Sequence, residues 1–338
     1  MARTHATIRD VAAQVGVSPA TVSRALARPH MVAAETVSRI RQVADELGYA
    51  PSPQARWLHT GRSNAFTLVL PDITNPFFFD LIRGAQHEAA RAGYTQVLVD
   101  TEESAEQEQA QLTASRRTSD GAVLGGSRLS DDQLTELAEV FPIVTVNRRI
   151  PGVPSVSIDT PTALESAVSH LAELGHQRLA YLGGPQTAWF DSRRWRAVKT
   201  AADDHQLHSH RLGHHQPTLR GGREAAAEIA VGDDTAVIAY NDLQALGLLR
   251  GLEELGIDVP GQISIVGCDN IFGADLTKPA LTTISGSAEH VGELATQALL
   301  HRLDEADSPR TLHHWVPAAL IIRDSTAPPL DTRRVVRS

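Results

Sequence analysis

Polar and aromatic side chains follow the apolar run Phe66-Thr-Leu-Val-Leu70, which has the character of a buried strand. Phe77 and Phe78 offer flat apolar faces on which a sugar ring can stack, and Asp72 and Asn75 offer hydrogen-bonding groups for its hydroxyls. This combination predicts a binding site for a small polyhydroxylated molecule. Two alternatives stay open. The phenylalanines could belong to the core or to an interface between lobes, and Asp72 could only cap the following helix.

Further polar residues stand where other apolar runs end. Asp159, Asn241 and Asp269 each come directly after a predicted strand, and Arg194 lies at the start of a predicted helix. Ligands of parallel α/β sheets bind at the carboxyl ends of the strands. We therefore expect these side chains to lie at or near a common cleft.

Motifs of catalysis and of cofactor binding are missing from the sequence. We find no Gly-x-Ser-x-Gly and no His-Glu-x-x-His, and Gly183-Gly-Pro is not followed by the Gly-Lys-Ser/Thr of a phosphate loop. A histidine-rich stretch has no cysteine or carboxylate that completes an evident four-ligand set, so solvated loop histidines are the favoured reading. It contains His205, His208, His210, His214 and His215. We expect no catalytic residue, no resident metal and no cofactor.

The N-terminal fifty residues read as three short helices. Thr7 is a good N-cap for the first helix, and Gly16 is placed to end it in the left-handed conformation. Ser18 caps a second helix with Pro19 at its first position. A third helix is predicted over residues 34–47.

Two short helices joined by a turn that contains glycine form a helix-turn-helix, whose second helix enters the major groove of DNA. Arg24 can offer its guanidinium fork to guanine, and the small Ala20 permits close approach to a base. The alternative is a three-helix bundle without a DNA function. The residues predicted to contact DNA from this unit are Thr7, Ser18, Pro19, Ala20, Thr21, Ser23 and Arg24.

Charge is distributed unevenly along the chain. The net charge is −9, but residues 1–63 contain eight arginines and only four acidic residues. Residues 64–338 contain 23 basic and 36 acidic residues. This asymmetry favours contact of a polyanion with the N-terminal segment alone.

The run from Thr7 to Leu26, Thr-Ile-Arg-Asp-Val-Ala-Ala-Gln-Val-Gly-Val-Ser-Pro-Ala-Thr-Val-Ser-Arg-Ala-Leu, closely resembles the N-terminal domain of the LacI/GalR repressor family. The resemblance continues through Val43–Pro51, Gly61-Arg-Ser-Asn and Asp72–Phe78, and in weaker form to about Ser325. It implies a DNA-binding regulator that recognises a palindromic operator as a homodimer and responds to a small-molecule effector.

The resemblance also implies a hinge helix within residues 51–63. There Leu58 matches the residue that wedges into the minor groove, Ala55 would allow contact with the twin helix, and Arg56 could reach phosphate. Ser52 and Trp57 depart from the family pattern. In the family, the positions that match Asp159, Arg194, Asn241 and Asp269 contact the effector.

Apolar runs alternate with helical stretches from residue 65 onward, and the alternation breaks near residues 150–160. Such alternation predicts parallel sheets covered on both faces. The predicted fold class is α/β, with a small all-α helix-turn-helix unit and a two-lobed parallel α/β body like that of periplasmic binding proteins. The predicted divisions are 1–50 for DNA binding, 51–63 for the hinge, 64–325 for the effector-binding body, and 326–338 for a disordered tail.

The bulk composition limits the remaining possibilities. A single cysteine, Cys268, fits a reducing compartment, and no run of residues is long and apolar enough to span a membrane, so we expect a cytoplasmic protein. A sugar or sugar derivative is the favoured effector, and a purine-responsive regulator is the alternative. A solute-binding protein would share the body but lack the N-terminal unit. For a sugar-processing enzyme, no acid–base pair of carboxylates is evident.

Overall fold

The computed structural model describes residues 6–49, 62–304 and 313–330, and its contacts divide the chain into two units, Met1–Asn64 and Ala65–Ser338. The hinge predictions for Ala55, Arg56 and Leu58 lie outside the described residues. So does the greater part of the predicted disordered tail.

The first unit consists of three α-helices and one 3-10 turn in its described part. They are α1 (Ile8–Val15), α2 (Pro19–Ala27), the 3-10 turn Pro29–Met31, and α3 (Ala34–Glu46). The backbone N–H and the hydroxyl of Thr7 both donate to the Asp10 carboxylate at 2.7 Å, and Gly16 ends α1 with φ of 79°. The Ser18 hydroxyl accepts from the Thr21 N–H at 3.1 Å, with Pro19 at the first helical position. These local ends agree with those read from the sequence.

One small apolar core holds the three helices together. Each helix contributes residues at helical spacing, so one face of every helix is buried. The buried members are Val11, Ala12, Val15, Val22, Ala25, Val37, Ile40 and Ala44.

The second unit alternates strands and helices. Its strands are β1 (Ala65–Leu70), β2 (Thr95–Asp100), β3 (Gly121–Gly125), β4 (Ile143–Val146), β5 (Ser155–Ile158), β6 (Arg178–Leu182), β7 (His208–Leu212), β8 (Ala236–Ala239), β9 (Ser264–Cys268), β10 (Thr282–Gly286), β11 (His313–Val316) and β12 (Ala318–Ile321). Its helices are α4 (Phe77–Arg91), α5 (Ala105–Ser115), α6 (Asp131–Val140), α7 (Thr160–Glu173), α8 (Trp189–Asp204), α9 (Leu219–Ala230), α10 (Asp242–Glu254) and α11 (Ala288–Asp304).

These strands form two six-stranded sheets, one in each lobe. The first has the order β11-β5-β4-β3-β1-β2 and is parallel throughout. The second has the order β12-β10-β9-β8-β6-β7 and is parallel except for β12 against β10. The chain passes to the second lobe after β5, returns at α11, and passes over once more between β11 and β12. The predicted break near residues 150–160 thus coincides with the first crossing.

The residues directly after the predicted boundary at Ser325 are hydrogen-bonded to the second lobe. The Ala327 N–H donates to the Ser264 hydroxyl at 3.0 Å, and the Ala327 carbonyl lies 3.1 Å from His176 Nε2. Thr326 bonds His170 at 3.0 Å. The prediction that disorder begins at residue 326 is therefore corrected, because hydrogen bonds hold the chain through residue 327.

Helices α4 and α11 touch backbone to backbone within the first lobe. A Cβ atom on Gly84 would lie 1.9 Å from the Glu289 carbonyl oxygen, and one on Gly292 would lie 2.2 Å from the Leu81 carbonyl oxygen. Only glycine permits this approach. The two helices are consequently fixed against each other with no side chain between them at these points.

We predict that Gly84→Ala lowers the free energy of unfolding by about 1–3 kcal/mol, because the added methyl group forces the helices apart. Urea denaturation followed by circular dichroism measures the change. Gly232→Ala is the matched control, since a Cβ there meets no atom closer than 3.4 Å. Equal effects of the two substitutions would contradict the close contact.

Candidate DNA-contacting helix and ligand cleft

Helix α2 presents a polar face away from the core of the first unit. Ala20 and Arg24 are exposed on this face, while Val22 and Ala25 are buried. The Arg24 Nε donates to the Ala20 carbonyl at 3.1 Å, so the guanidinium lies along its own helix. An exposed face with one arginine among small residues can approach base edges closely.

A cleft separates the two sheets of the second unit at the carboxyl ends of their strands. It encloses about 660 Å³ of atom-free space, part of which is open to solvent. Both lobes contribute to its wall. The lining residues are Pro71, Asn75, Phe77, Phe78, Glu103, Gly126, Ser127, Arg128, Val146, Asn147 and Arg148 from the first lobe, and Trp189, Phe190, Arg194, Pro217, Tyr240, Asn241 and Asp269 from the second.

Six of the eight predicted effector residues line this cleft. The other two, Asp72 and Asp159, bond their own turns. Asp72 accepts from the N–H and the hydroxyl of Thr74 at 2.8 and 2.6 Å. Asp159 caps α7 by accepting from the Thr162 N–H at 3.4 Å. Asp72 thus bonds a turn ahead of α4 and does not cap that helix, whose N-cap is Pro76, and Asp159 lies outside the cleft wall.

Asn241 lines the cleft, but its amide is engaged within the second lobe. Its Oδ1 accepts from the Gln244 N–H at 2.9 Å, and its Nδ2 donates to the Pro217 carbonyl at 3.0 Å. The side chain thus caps α10 and holds the loop after β7 in place. Its geometry fits a positioning role at the cleft wall.

Arg194 and Asp269 form a buried ion pair in the second-lobe wall of the cleft. Arg194 Nη2 lies 3.3 Å from Asp269 Oδ1, and both side chains are less than 10% exposed. The guanidinium also donates to the Tyr240 carbonyl and lies 4.8 Å from the centre of the Tyr240 ring. Burial raises the pKa of Asp269 to about 6, and the neighbouring Arg194 opposes this rise.

Asp242 shapes the loop that carries Asp269. Its Oδ1 accepts from the Thr283 hydroxyl at 2.5 Å, and its Oδ2 accepts from the Ile271 N–H at 2.9 Å. These bonds hold a turn in which Asp269 has φ of 117°. Burial, with the charge of Asp269 as the second cause, raises the pKa of Asp242 to about 7.

Two arginines of the first lobe were not predicted from the sequence. Arg128 Nε donates to Glu103 at 2.6 Å, and Arg148 Nη2 donates to Asp131 at 2.6 Å. Each arginine follows the carboxyl end of a strand, Arg128 after β3 and Arg148 after β4. The rule that identified Asp269 would have found them had it been applied to these strands. Trp189, Phe190 and Tyr240 were also missed as lining residues.

The cleft has three buried guanidinium groups, and each has a carboxylate partner. Glu103 pairs with Arg128, Asp131 with Arg148, and Asp269 with Arg194. The Nε atoms of Arg148 and Arg194 are buried and have no hydrogen-bond partner among the described residues. The cleft can therefore donate hydrogen bonds without carrying a large net charge.

The histidine-rich stretch runs from the end of α8 through β7 into the following loop, and its members contact different elements. His205 bonds Ser169 at 2.9 Å, and His210 lies 3.4 Å from Asp234. His214 Nδ1 lies 3.1 Å from the Gly184 carbonyl. Because their partners differ, these histidines connect neighbouring elements at the surface of the second lobe.

We predict that the free energy of unfolding of the wild type, relative to that of Asp242→Asn, falls as pH rises from about 4 to about 7. The folded-state pKa is raised, so the unfolded chain releases its proton first and the advantage of the protonated carboxyl is lost over this range. Urea denaturation at a series of pH values measures the difference, with the exposed Asp132→Asn as control. A difference that stays flat or grows with pH would contradict the assignment.

Comparisons with known proteins agree with this architecture. Residues 7–52 match the family model described as bacterial regulatory proteins, lacI family, and residues 168–326 match a periplasmic binding protein-like domain. None of the described helices is long and apolar enough to cross a membrane.

Named relatives cover nearly the whole chain. The HTH-type transcriptional repressor CytR of Escherichia coli (strain K12) is 33% identical over 332 residues, which are 96% of this chain and 97% of the relative. The lac repressor dimer bound to operator and an anti-inducer matches with a TM-score of 0.84 at 22% identity, covering 95% of this chain and 99% of that one. A LacI family regulator of Enterococcus faecium with bound ribose matches with a TM-score of 0.69 at 29% identity, covering 78% and 99%. The chain belongs to the lacI family of bacterial regulatory proteins and is a DNA-binding regulator of transcription.

Proposed function

We propose that this regulator represses transcription and that a neutral, polyhydroxylated ligand of about monosaccharide size controls its binding to operator DNA. The observation that carries the proposal is the cleft between the lobes, which combines aromatic faces with paired charges. The similar regulator of Enterococcus faecium holds ribose. A sugar offers the apolar ring face and the hydroxyls that such a wall can bind.

The first lobe supplies the apolar side of this site. The rings of Phe77 and Phe78 meet edge to face with centres 5.1 Å apart, at the start of α4. The Asn75 Oδ1 accepts from the Phe77 N–H at 3.0 Å and so fixes the turn that presents both rings. The unpartnered Nε of Arg148 is the donor we assign to a ligand hydroxyl on this side.

The second lobe supplies the charged side. Asp269 is a strong hydrogen-bond acceptor, and the Arg194 Nε is a free donor beside it. A ligand that bonds both lobes stabilises their closed arrangement more than an open one. Ligand binding then shifts the population between two states, and DNA affinity follows that shift.

Charge balance favours a neutral ligand over a phosphorylated one. Every guanidinium in the cleft already has a carboxylate partner, so a phosphate would have to displace one of them and leave it buried and unpaired. A thermal-shift screen of the full chain with pentoses, hexoses, sugar phosphates and nucleobases tests this proposal. Stabilisation by an unphosphorylated sugar supports it, and stabilisation by purines alone would favour the purine-responsive alternative.

We also propose a homodimer that binds a palindromic operator. Large apolar side chains are exposed on the second unit, where Val97 and Leu98 lie on the edge strand β2 and Phe272 and Leu276 lie in the loop before β10. Exposed apolar patches and open strand edges are typical of surfaces that bind another chain. A twofold-symmetric dimer matches the symmetry of a palindromic site.

Arg24→Ala should weaken operator binding by about 1–3 kcal/mol, because a bidentate contact with one base in each half-site is lost. Arg24→Lys keeps the charge but removes the planar fork, so it should also lose specificity. Fluorescence anisotropy with operator and with random DNA measures both effects. Equal weakening on the two DNAs would show that Arg24 only contacts phosphate.

Asp269→Ala should weaken ligand binding by about 1.5–3 kcal/mol for each charge-assisted hydrogen bond lost. DNA binding without ligand should persist, since α2 is unchanged. Titration calorimetry measures the dissociation constant, and Asp269→Asn serves as the smaller change.

Asp159→Asn is the matched control for Asp269. Asparagine is as good an N-cap as aspartate, so α7 keeps its cap while the charge is removed. We expect an unchanged dissociation constant. A loss equal to that of Asp269→Ala would place Asp159 in the site, as the family resemblance implied.

A further inference from the structure

A mixed group of histidine and glutamate side chains lies on the outside of the first lobe, where α4 and α11 cross. His87 extends from α4, and Glu289 and Glu293 extend from α11. One potential ligand atom from each of the three residues lies within 4.8 Å of the other two. None of these residues lines the ligand cleft.

The packing of the two helices fixes this arrangement. Gly84 stands one turn before His87 and contacts the Glu289 backbone, and Gly292 directly precedes Glu293. Glu289 and Glu293 are four residues apart and therefore share one face of α11. The backbones that carry the three side chains are thus held in a constant relation.

We propose that His87, Glu289 and Glu293 bind a divalent transition-metal ion such as Zn²⁺ or Co²⁺, with water in the remaining coordination positions. One imidazole nitrogen and two carboxylate oxygens are ligands that these metals accept. Ligand atoms around tetrahedral zinc lie about 3.4 Å apart, given bonds of about 2.0–2.1 Å. His87 Nδ1 and Glu289 Oε1 are already 3.5 Å apart.

The third ligand has a partner that can orient it. His290 Nδ1 lies 3.0 Å from Glu293 Oε2, so Glu293 Oε1 stays available as the ligand atom. Such hydrogen bonds to ligating carboxylates are typical around metal sites. The side chains of His87, Glu289 and Glu293 are 52%, 42% and 28% exposed, so small rotations can bring the ligand atoms to bonding distance.

An ordinary cluster of surface ion pairs is the competing explanation. Exposed pairs contribute little to stability and require no convergence of three ligands from two helices. A metal bound here would join α4 to α11 and raise the thermal stability of the protein with the logarithm of the metal concentration above the dissociation constant. Surface ion pairs alone would give no such dependence.

Thermal-shift and calorimetric titrations of the chelator-treated full chain with Zn²⁺, Co²⁺ and Mg²⁺ test the site. We expect Zn²⁺ and Co²⁺ to raise the melting temperature and to bind one ion per chain, with little effect of Mg²⁺, which prefers all-oxygen ligands. His87→Ala and the milder Glu293→Gln should each weaken Zn²⁺ binding at least about tenfold, since even outer partners of metal sites change affinity 10–100-fold.

His208→Ala is the control, because it removes a histidine from the histidine-rich stretch on β7 and leaves the α4–α11 group intact. It should bind Zn²⁺ as the wild type does. The proposal is overturned if Zn²⁺ leaves the wild type unchanged. It is also overturned if both His87→Ala and Glu293→Gln keep full affinity, or if only His208→Ala loses it.

Discussion

The buried pair of Arg194 and Asp269 sets the geometry of the second lobe at the cleft. A charge removed from water needs a close partner and further hydrogen bonds, or it destabilises the fold. Arg194 reaches Asp269 from α8, and it also contacts the carbonyl and the ring of Tyr240 and the ring of Phe190. Because Arg194 lies on α8 while Tyr240 and Asp269 directly follow β8 and β9, the pair fixes the relative positions of these three elements. Every polar residue assigned to the ligand on this side depends on that arrangement.

The same requirement of pairing explains the character of the cleft as a whole. In the first lobe, Arg128 is paired with Glu103 and Arg148 is paired with Asp131. The result is a wall that is rich in charged groups yet nearly balanced in charge. A wall of this kind discriminates by the positions of hydrogen-bonding groups, since a ligand that fails to satisfy them leaves buried polar atoms unpaired. If the ligand is the sugar that we propose, such a wall selects by the positions of its hydroxyl groups.

Local signals in the sequence predicted the first unit well, because its helix ends depend on neighbours along the chain. Thr7, Gly16 and Ser18 each act within four residues of their own position. The alternation of apolar runs likewise predicted two lobes with a break near residues 150–160, where the chain first crosses between the sheets. Burial of a whole sheet makes strands nearly continuous in apolar residues, and this pattern survives without any tertiary information.

The cleft was less predictable, because its contacts join residues far apart in the chain. Asp72 and Asp159 stand at strand ends as Asp269 does, but their carboxylates bond adjacent turns. Nothing in their spacing distinguishes a carboxylate that bonds its own turn, or caps a helix, from one that faces a ligand. Arg128 and Arg148 follow strand ends as well, but their partners Glu103 and Asp131 are 25 and 17 residues away. No short motif therefore predicts that these two guanidinium groups are paired.

Helix α4 connects the aromatic side of the cleft to helix α11. Its first turn carries Phe77 and Phe78 into the cleft, and its middle is locked to α11 through Gly84. Helix α11 follows β10, which pairs with β9, the strand that ends beside Asp269. Because the two backbones touch, no side chain between the helices can change its rotamer to absorb a shift. A displacement of α4 must therefore be shared by α11. The two sides of the cleft are therefore connected in two ways: by the chain that runs from β10 into α11, and by the glycine contacts between α11 and α4. A ligand that moves Phe77 relative to Asp269 acts on both of these connections.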